Sequence, residues 1–283
     1  MRCIVICGPT GSGKSSLAIN IASKVKSIII NADSQQVFRE FPILTDQPAD
    51  TKNIQHKLYG CVSCGENFSS YRWCLEASTE IKSCLANGYV PILVGGTGFY
   101  IRNLLDGHGQ APKIDNMYSL SNLEMLSILH QNKSGLNLNL NDAYRINRYF
   151  SVLTETGKSV ETWNSEEKIY FLNGIKYFKI LLLPPKDKLE LKCKQRIEEM
   201  FPHVVEEVKN NYNLENASKI IGFSEIKAYL EGKINLAQCK DQMLIRTRQY
   251  AKRQSTWFRN QMKFDIVIND LNSQNKNKLL EHR

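Results

Sequence analysis

The feature that most constrains this chain is Gly8-Pro9-Thr10-Gly11-Ser12-Gly13-Lys14-Ser15, which follows the apolar run Cys3 to Cys7 and opens a helix-forming stretch. It fits G-x-x-x-x-G-K-S/T in the strand-turn-helix context that pattern requires. Glycines let backbone amides turn inward around phosphate oxygens, and the helix N-terminus adds partial positive charge. Lys14 supplies a full charge, and Ser15 is the expected ligand of a phosphate-bound Mg²⁺. A chain that begins this way is expected to bind a diphosphate or a nucleotide through residues 8–15.

Short β-branched runs then alternate with longer helical patterns, the signature of crossover connections and a mainly parallel sheet. The predicted strands are Cys3 to Cys7, Ser27 to Asn31, Val90 to Val94, Tyr177 to Leu183 and Asp265 to Ile268. They read as continuous apolar runs because helices cover both faces of such a sheet. Predicted helices span Lys14 to Val25, Tyr71 to Ala86, Lys188 to Met200, Gly222 to Leu230 and Leu236 to Met262. The expected class is α/β: a P-loop NTPase-like parallel sheet flanked by helices. Residues 1–106 and 166–283 form its core, and the strand signal fades over residues 107–165. That stretch is predicted as a small helical insertion, with one helix at Leu120 to His130 and a loop at Asn137 to Asn141. From Asn272 onward a polar tail is expected to fray.

At 283 residues with 42% hydrophobic and 23% charged residues, the chain has the composition of a folded soluble protein rather than a disordered one. No run of about 18 apolar residues occurs, and no signal peptide precedes the glycine motif, so the cytosol is the expected compartment and no membrane contact is expected. Its 8 cysteines are scattered, which argues for reduced thiols. Cys61-x-x-Cys64 lacks a second ligand pair at zinc-site spacing, His56, Cys74 and Cys84 being the other candidates. A net charge of +9 favours a polyanionic partner. Many of the cations gather late, in Arg246, Arg248, Lys252, Arg253, Arg259 and Lys263, with Trp257-Phe258 interleaved. A solvated helix face is the plain alternative to a nucleic-acid face.

ATP- and GTP-dependent enzymes of this class commonly hold their metal through an acid at a strand end. Here only the second strand offers one, in Ile30-Asn31-Ala32-Asp33-Ser34, whereas Ile92-Leu93-Val94 runs into Gly95-Gly96-Thr97-Gly98. A small nucleotide kinase stays open on these residues alone.

Four segments in order narrow the choice: Gly8 to Ser15, Asp33-Ser34-Gln35-Gln36-Val37-Phe38-Arg39, Gly95-Gly96-Thr97-Gly98-Phe99-Tyr100-Ile101, and Thr247-Arg248-Gln249-Tyr250-Ala251-Lys252-Arg253-Gln254. Together they closely resemble tRNA dimethylallyltransferases, from Cys3 to about Gln261. The resemblance implies that the loop grips dimethylallyl diphosphate with Mg²⁺, and that the acceptor is N6 of the adenosine beside the tRNA anticodon. It puts a general base on Asp33, with Thr10 and Lys14 also at the reacting centre. It implies tRNA contacts for Asp33, Ser34, Gln35, Gln36, Thr97, Arg145, Arg148, Lys219, Gly222, Phe223, Ser224, Arg248, Lys252 and Arg253. A base stacked in the anticodon arm must also be extruded, with Tyr250 and Trp257 as stacking candidates, although a core position on the inner helix face is the expectation for both. Ser119 and Met200 stand where relatives carry arginines, with Arg102, Lys194 and Arg196 as possible replacements. A free adenine nucleotide as acceptor, or an RNA-binding protein without turnover, are the remaining readings; no protein partner is implied, and a monomer is expected.

Overall fold

The computed structural model describes residues 2–114, 116–166, 168–201 and 203–269, so the tail from Asn272 lies outside the described residues. Strand β1 (Arg2–Cys7) carries the apolar run into the glycine loop, and helix α1 (Lys14–Ala22) leaves it. There follow β2 (Ser27–Asn31), the short β3 (His56–Lys57), α2 (Ser70–Ala86), β4 (Val90–Gly95) and α3 (Gly98–Asp106). Close contacts group residues 1–102 with 172–283 as one compact unit and residues 103–171 as a second.

In the first unit the sheet is completed by β7 (Lys176–Leu182) and β8 (Ile266–Ile268), in the order β3-β2-β4-β1-β7-β8, with every pairing parallel. Strand β1 is therefore central, and Val5, Ile6 and Cys7 are fully buried because both faces are covered. Ile6, Leu17, Ile29, Ile92, Ile180 and Leu182 form the core between α1 and the sheet. Burial pushes the Cys3 and Cys7 thiols up to about 12, so both are neutral hydrophobes. A second core gathers Phe41, Leu44, Ile197, Val204, Phe223 and Met243. It joins the loop after β2 to α7 (Lys186–Met200), α8 (His203–Asn210), α9 (Phe223–Leu230) and the long α10 (Leu236–Gln261).

The elements differ from the sequence reading at several points. Helix α1 stops at Ala22, three residues short of Val25: the Lys24 amide bonds to the Ile21 carbonyl, three residues back, which tightens the chain out of the α-helical ladder before β2 begins at Ser27. The glycines at 95–98 are not only a turn but the approach to α3. Helix α8 went unread beside Pro202, and two-residue β3 has no pattern to read.

The second unit contains α4 (Asn122–Gln131), α5 (Ala143–Thr156), α6 (Val160–Glu166) and a two-residue ladder, β5 (His108–Gly109) antiparallel to β6 (Lys168–Ile169). One helix was expected here, and no strand. A capping box of Ser121 and Glu124 starts α4, Asp142 caps α5, and Gly157 ends α5 in the left-handed region. Met125, Leu126, Leu129, Ile146 and Phe150 supply its core, with Tyr118 edge-on to Phe150. Among the described residues no helix is long and apolar enough to cross a membrane.

Candidate active site

The glycine loop is held open by close packing. Gly8 has φ +156°, and a Cβ there would lie 2.6 Å from the Leu182 carbonyl oxygen, so the end of β7 leaves room for no side chain. Beyond it the first amides of α1 have no intrahelical acceptor and face a potential anion. Ser12 Oγ is buried without a hydrogen-bond partner. Lys14 Nζ donates to the Pro9 carbonyl at 2.8 Å. Its pKa is lowered, chiefly by removal from water, while the Asp33 carboxylate pulls it back up.

Asp33 follows β2 directly and is held from several sides. Its amide donates to Asn31 Oδ1 at 2.8 Å, and Asn31 Nδ2 donates to the carbonyls of Asp33 and Leu58, both at 3.0 Å. Trp73 Nε1 from α2 donates to the Asn31 carbonyl at 3.0 Å and stacks on Tyr100. The carboxylate accepts from the Gln35 amide at 3.0 Å. Replacing Trp73 with phenylalanine leaves the buried Asn31 carbonyl without its indole donor, and a cost of about 1–3 kcal/mol is expected. A lowered urea midpoint checks this, and an unchanged midpoint removes the indole bond from the account.

The second glycine cluster meets this carboxylate. A Cβ on Gly95 would lie 2.0 Å from the Ala32 carbonyl oxygen, so β2 and β4 approach too closely for any other residue. Thr97 Oγ1 accepts from the Ser34 amide at 2.8 Å and donates to Ser34 Oγ at 3.1 Å, stapling the two motifs together. From α7, Arg196 donates to Thr10 Oγ1 at 2.9 Å and pairs with Asp46 at 3.4 Å. Gln36 Nε2 secures that turn through the carbonyls of Thr45 at 3.1 Å and Asp46 at 2.6 Å. From α10, Tyr250 faces the same space. Burial raises its hydroxyl pKa and the Asp33 charge raises it further, so it remains a neutral hydrogen-bonding group.

These groups enclose a cavity of about 320 Å³, with the loop and Lys14 on one side and Asp33, Gln35, Gln36 and Tyr250 on another. Leu44, Val94, Ile220 and Ile221 give it an apolar portion. The space suits a ligand with an anionic head and a short hydrocarbon tail beside a carboxylate able to accept a proton.

Of the residues expected from sequence, Thr10, Gly11, Gly13, Lys14, Ser15, Asp33, Gln35 and Gln36 line this cavity, while Gly8, Pro9 and Ser12 are buried behind it. Phe223 requires correction: its side chain is 3% exposed and packs edge-on against Phe41, so it is core rather than a surface group. Gly222 is likewise buried, against Leu44 and Met243. Lys219 is exposed and bonded to Asn216, and Ser224 is half-buried. On α10, Arg248 pairs with Glu190 at 2.9 Å, whereas Lys252 and Arg253 are exposed beside a groove that includes Trp257. In the second unit Arg145 pairs with Asp142, and Arg148 donates to the carbonyls of Ala111 and Pro112. Met200 is 7% exposed, in the core with Ile197 and Val204, so a charge there would be buried. Arg102 bonds Gln261 and lies over Trp257, Lys194 is exposed, and Arg196 is the one of the three candidate replacements that lines the cavity. Cys64 Sγ lies against the Glu215 carbonyl, and among the described residues no group of His, Cys, Asp and Glu is placed to hold a metal.

Sequence reasoning missed Asp46, Lys192, Glu199 and Gln254, and placed Tyr250 only as a stacking or core candidate. One signal was available. Thr247, Ala251, Gln254 and Phe258 are buried at helical spacing, and a glutamine on such a stripe needs polar partners.

A profile of the IPP transferase family matches residues 36–261. The tRNA dimethylallyltransferase of Rickettsia canadensis is 35% identical, over 98% of this chain and 91% of its own length. That of Ehrlichia canis is 35% identical, over 91% of both. Among solved structures, a eukaryotic dimethylallyltransferase acting on tRNA superposes with a TM-score of 0.80 at 25% identity, over 100% of this chain and 80% of that one. The Bacillus halodurans tRNA isopentenylpyrophosphate transferase shares the fold, with a TM-score of 0.68 at 23% identity over 99% of each chain.

Proposed function

This chain belongs to the IPP transferase family, and from that premise we propose that it transfers a dimethylallyl group from dimethylallyl diphosphate to N6 of adenosine 37, beside the tRNA anticodon. The observation that carries the reading is a single cavity bounded by a phosphate loop with its lysine, by Asp33 and by apolar side chains.

The acceptor amine is a weak nucleophile because its lone pair is delocalised into the purine. As N6 bonds to C1 of the allylic chain, the C–O bond to diphosphate breaks and the bonding electrons leave with the diphosphate. Asp33 takes the proton from N6 in the same motion, a role supported by its position just after β2 and by the backbone clamp from Asn31. Lys14, the α1 amides and Arg196 neutralise the departing charge. Thr10, fixed through its hydroxyl by Arg196, lies where the donor meets the loop.

The oxygen donors available here, the Ser15 hydroxyl with diphosphate and water, suit a hard divalent cation, and Mg²⁺ characteristically keeps several waters beside one or two protein ligands. Bound there, Mg²⁺ supplies further neutralisation of the diphosphate.

Gln35 and Gln36 border the acceptor side of the cavity, with Ser34 next to them in sequence and bonded to Thr97, and the exposed Lys252 and Arg253 offer cations to the tRNA backbone. Arg248, Lys219 and Ser224 complete the proposed tRNA surface of the first unit, with Gly222 and Phe223 supporting it from beneath, and Arg145 and Arg148 are the residues proposed to contact tRNA on the second unit. The reaction is assigned to the cytosol, with tRNA as its partner. Incubating the protein with dimethylallyl diphosphate, Mg²⁺ and unmodified tRNA should yield N6-prenylated adenosine by mass spectrometry. Brisk ATP hydrolysis with no such product would overturn the assignment. Replacing Lys252 and Arg253 together with alanine should flatten the salt dependence of tRNA affinity by about 1.4–1.8 in log-log slope, as expected for two lost phosphate contacts. An unchanged slope in a filter-binding titration would take these residues off the interface.

A further inference from the structure

We propose that Gln254 is a positioning residue through which α10 sets the geometry of the phosphate loop, so that tRNA and the prenyl diphosphate bind with coupled affinities; this rests on the function proposed above. Gln254 is 6% exposed, and both ends of its amide are engaged. Its Oε1 accepts from the Thr10 amide at 2.8 Å, and its Nε2 donates to the Gly96 carbonyl at 3.0 Å. One side chain thus joins α10 to the loop that precedes α1 and to the turn beside Asp33.

The geometry leaves little freedom. A Cβ on Gly96 would lie 2.2 Å from Gln254 Nε2, so the turn is shaped to receive this amide. Thr10 is held twice, by Gln254 at its backbone and by Arg196 at its hydroxyl. Its amide is therefore given to α10, and any displacement of α10 is transmitted directly to the residue at the mouth of the loop.

Lys252 and Arg253 are the two residues preceding Gln254 on the same helix and are exposed, whereas Gln254 faces inward. A polyanion that fixes the outer face therefore fixes the Thr10 clamp as well. The loop then meets the diphosphate already shaped, and the ordering cost of the second ligand has been met by the first. Linkage makes the effect reciprocal, so donor binding tightens tRNA binding by the same factor.

The test measures dimethylallyl diphosphate affinity calorimetrically on the full chain. It compares protein alone with protein saturated by a tRNA carrying purine riboside at the acceptor position, which lacks the reacting amine. The native chain should bind donor about tenfold more tightly with tRNA, within the range typical of coupled sites. Gln254→Met keeps the length of the side chain and removes both hydrogen bonds; it should bring the ratio close to one while tRNA affinity without donor stays unchanged. A purely structural role would weaken donor binding equally with and without tRNA, and a preserved ratio overturns the proposal. So does a native ratio of one. Should Gln254→Met fail to fold, Gln254→Glu decides: it retains the acceptor for Thr10, loses the donor to Gly96, and should at least halve the coupling, an unchanged ratio again refuting it. Ordinary tRNA serves as the control on the underlying reading. No prenylated product from the native chain would sink both, whereas product with unaltered coupling in the variants sinks this inference alone.

Discussion

Replacing Asp33 with alanine is expected to lower kcat by about 10²–10⁴-fold, the range typical for loss of a positioned general base, while donor affinity changes little. The asymmetry follows from what the carboxylate does. It meets the acceptor amine only as the C–N bond forms, so its interaction belongs to the transition state and its loss falls on kcat rather than on ground-state binding. Its backbone clamp does not depend on the side chain, since the amide and carbonyl of Asp33 are held by Asn31. The variant should therefore retain the shape of the turn, and single-turnover kinetics at saturating donor and tRNA isolate the chemical step. Turnover close to native would remove Asp33 from the role of base. A parallel fall in donor affinity would instead make it chiefly a partner of Lys14, whose pKa its charge raises.

Much of this site was legible because its chemistry is carried by contiguous runs. Gly8 to Ser15 can be read as a phosphate cradle from spacing alone, and Asp33 stands out as an acid at a strand end. The parallel sheet was legible for a related reason: strands covered on both faces show unbroken apolar runs, as in Ile28-Ile29-Ile30. What escaped notice reaches the cavity from distant parts of the chain. Lys192 and Glu199 look like part of an ordinary charged helix, and only the packing of α7 beside the loop gives them a cavity to face. Asp46 lies in a turn with φ 61°, a conformation no local pattern announces. Helix α5 had its apolar stripe in Ile146, Phe150 and Leu153, but asparagine and threonine content obscured it. Resemblance misled at Phe223, because a motif fixes that a residue is needed without fixing whether its side chain or its backbone is used.

Replacing Lys14 with alanine should lower kcat/KM by about 10²–10³-fold, the usual loss for one preorganised donor at developing negative charge. Unlike Asp33, Lys14 is expected to act on both kcat and donor affinity, because the diphosphate is anionic before the reaction and gains charge during it. Its pH behaviour has a definite sign. In the free site, burial lowers the Lys14 pKa. A bound diphosphate adds opposite charge beside the ammonium and raises it again. Donor binding therefore takes up a proton at pH values between the lowered free value and the higher bound one, and affinity falls as pH rises through that window. Below the window both states are protonated and the dependence from this group vanishes. Calorimetry in buffers of different ionisation enthalpy measures the uptake directly. The native chain should take up a fraction of a proton on binding donor in alkaline buffer, and the alanine variant should lose that fraction. Equal uptake by both would mean that another group, not Lys14, carries the charge that receives the diphosphate.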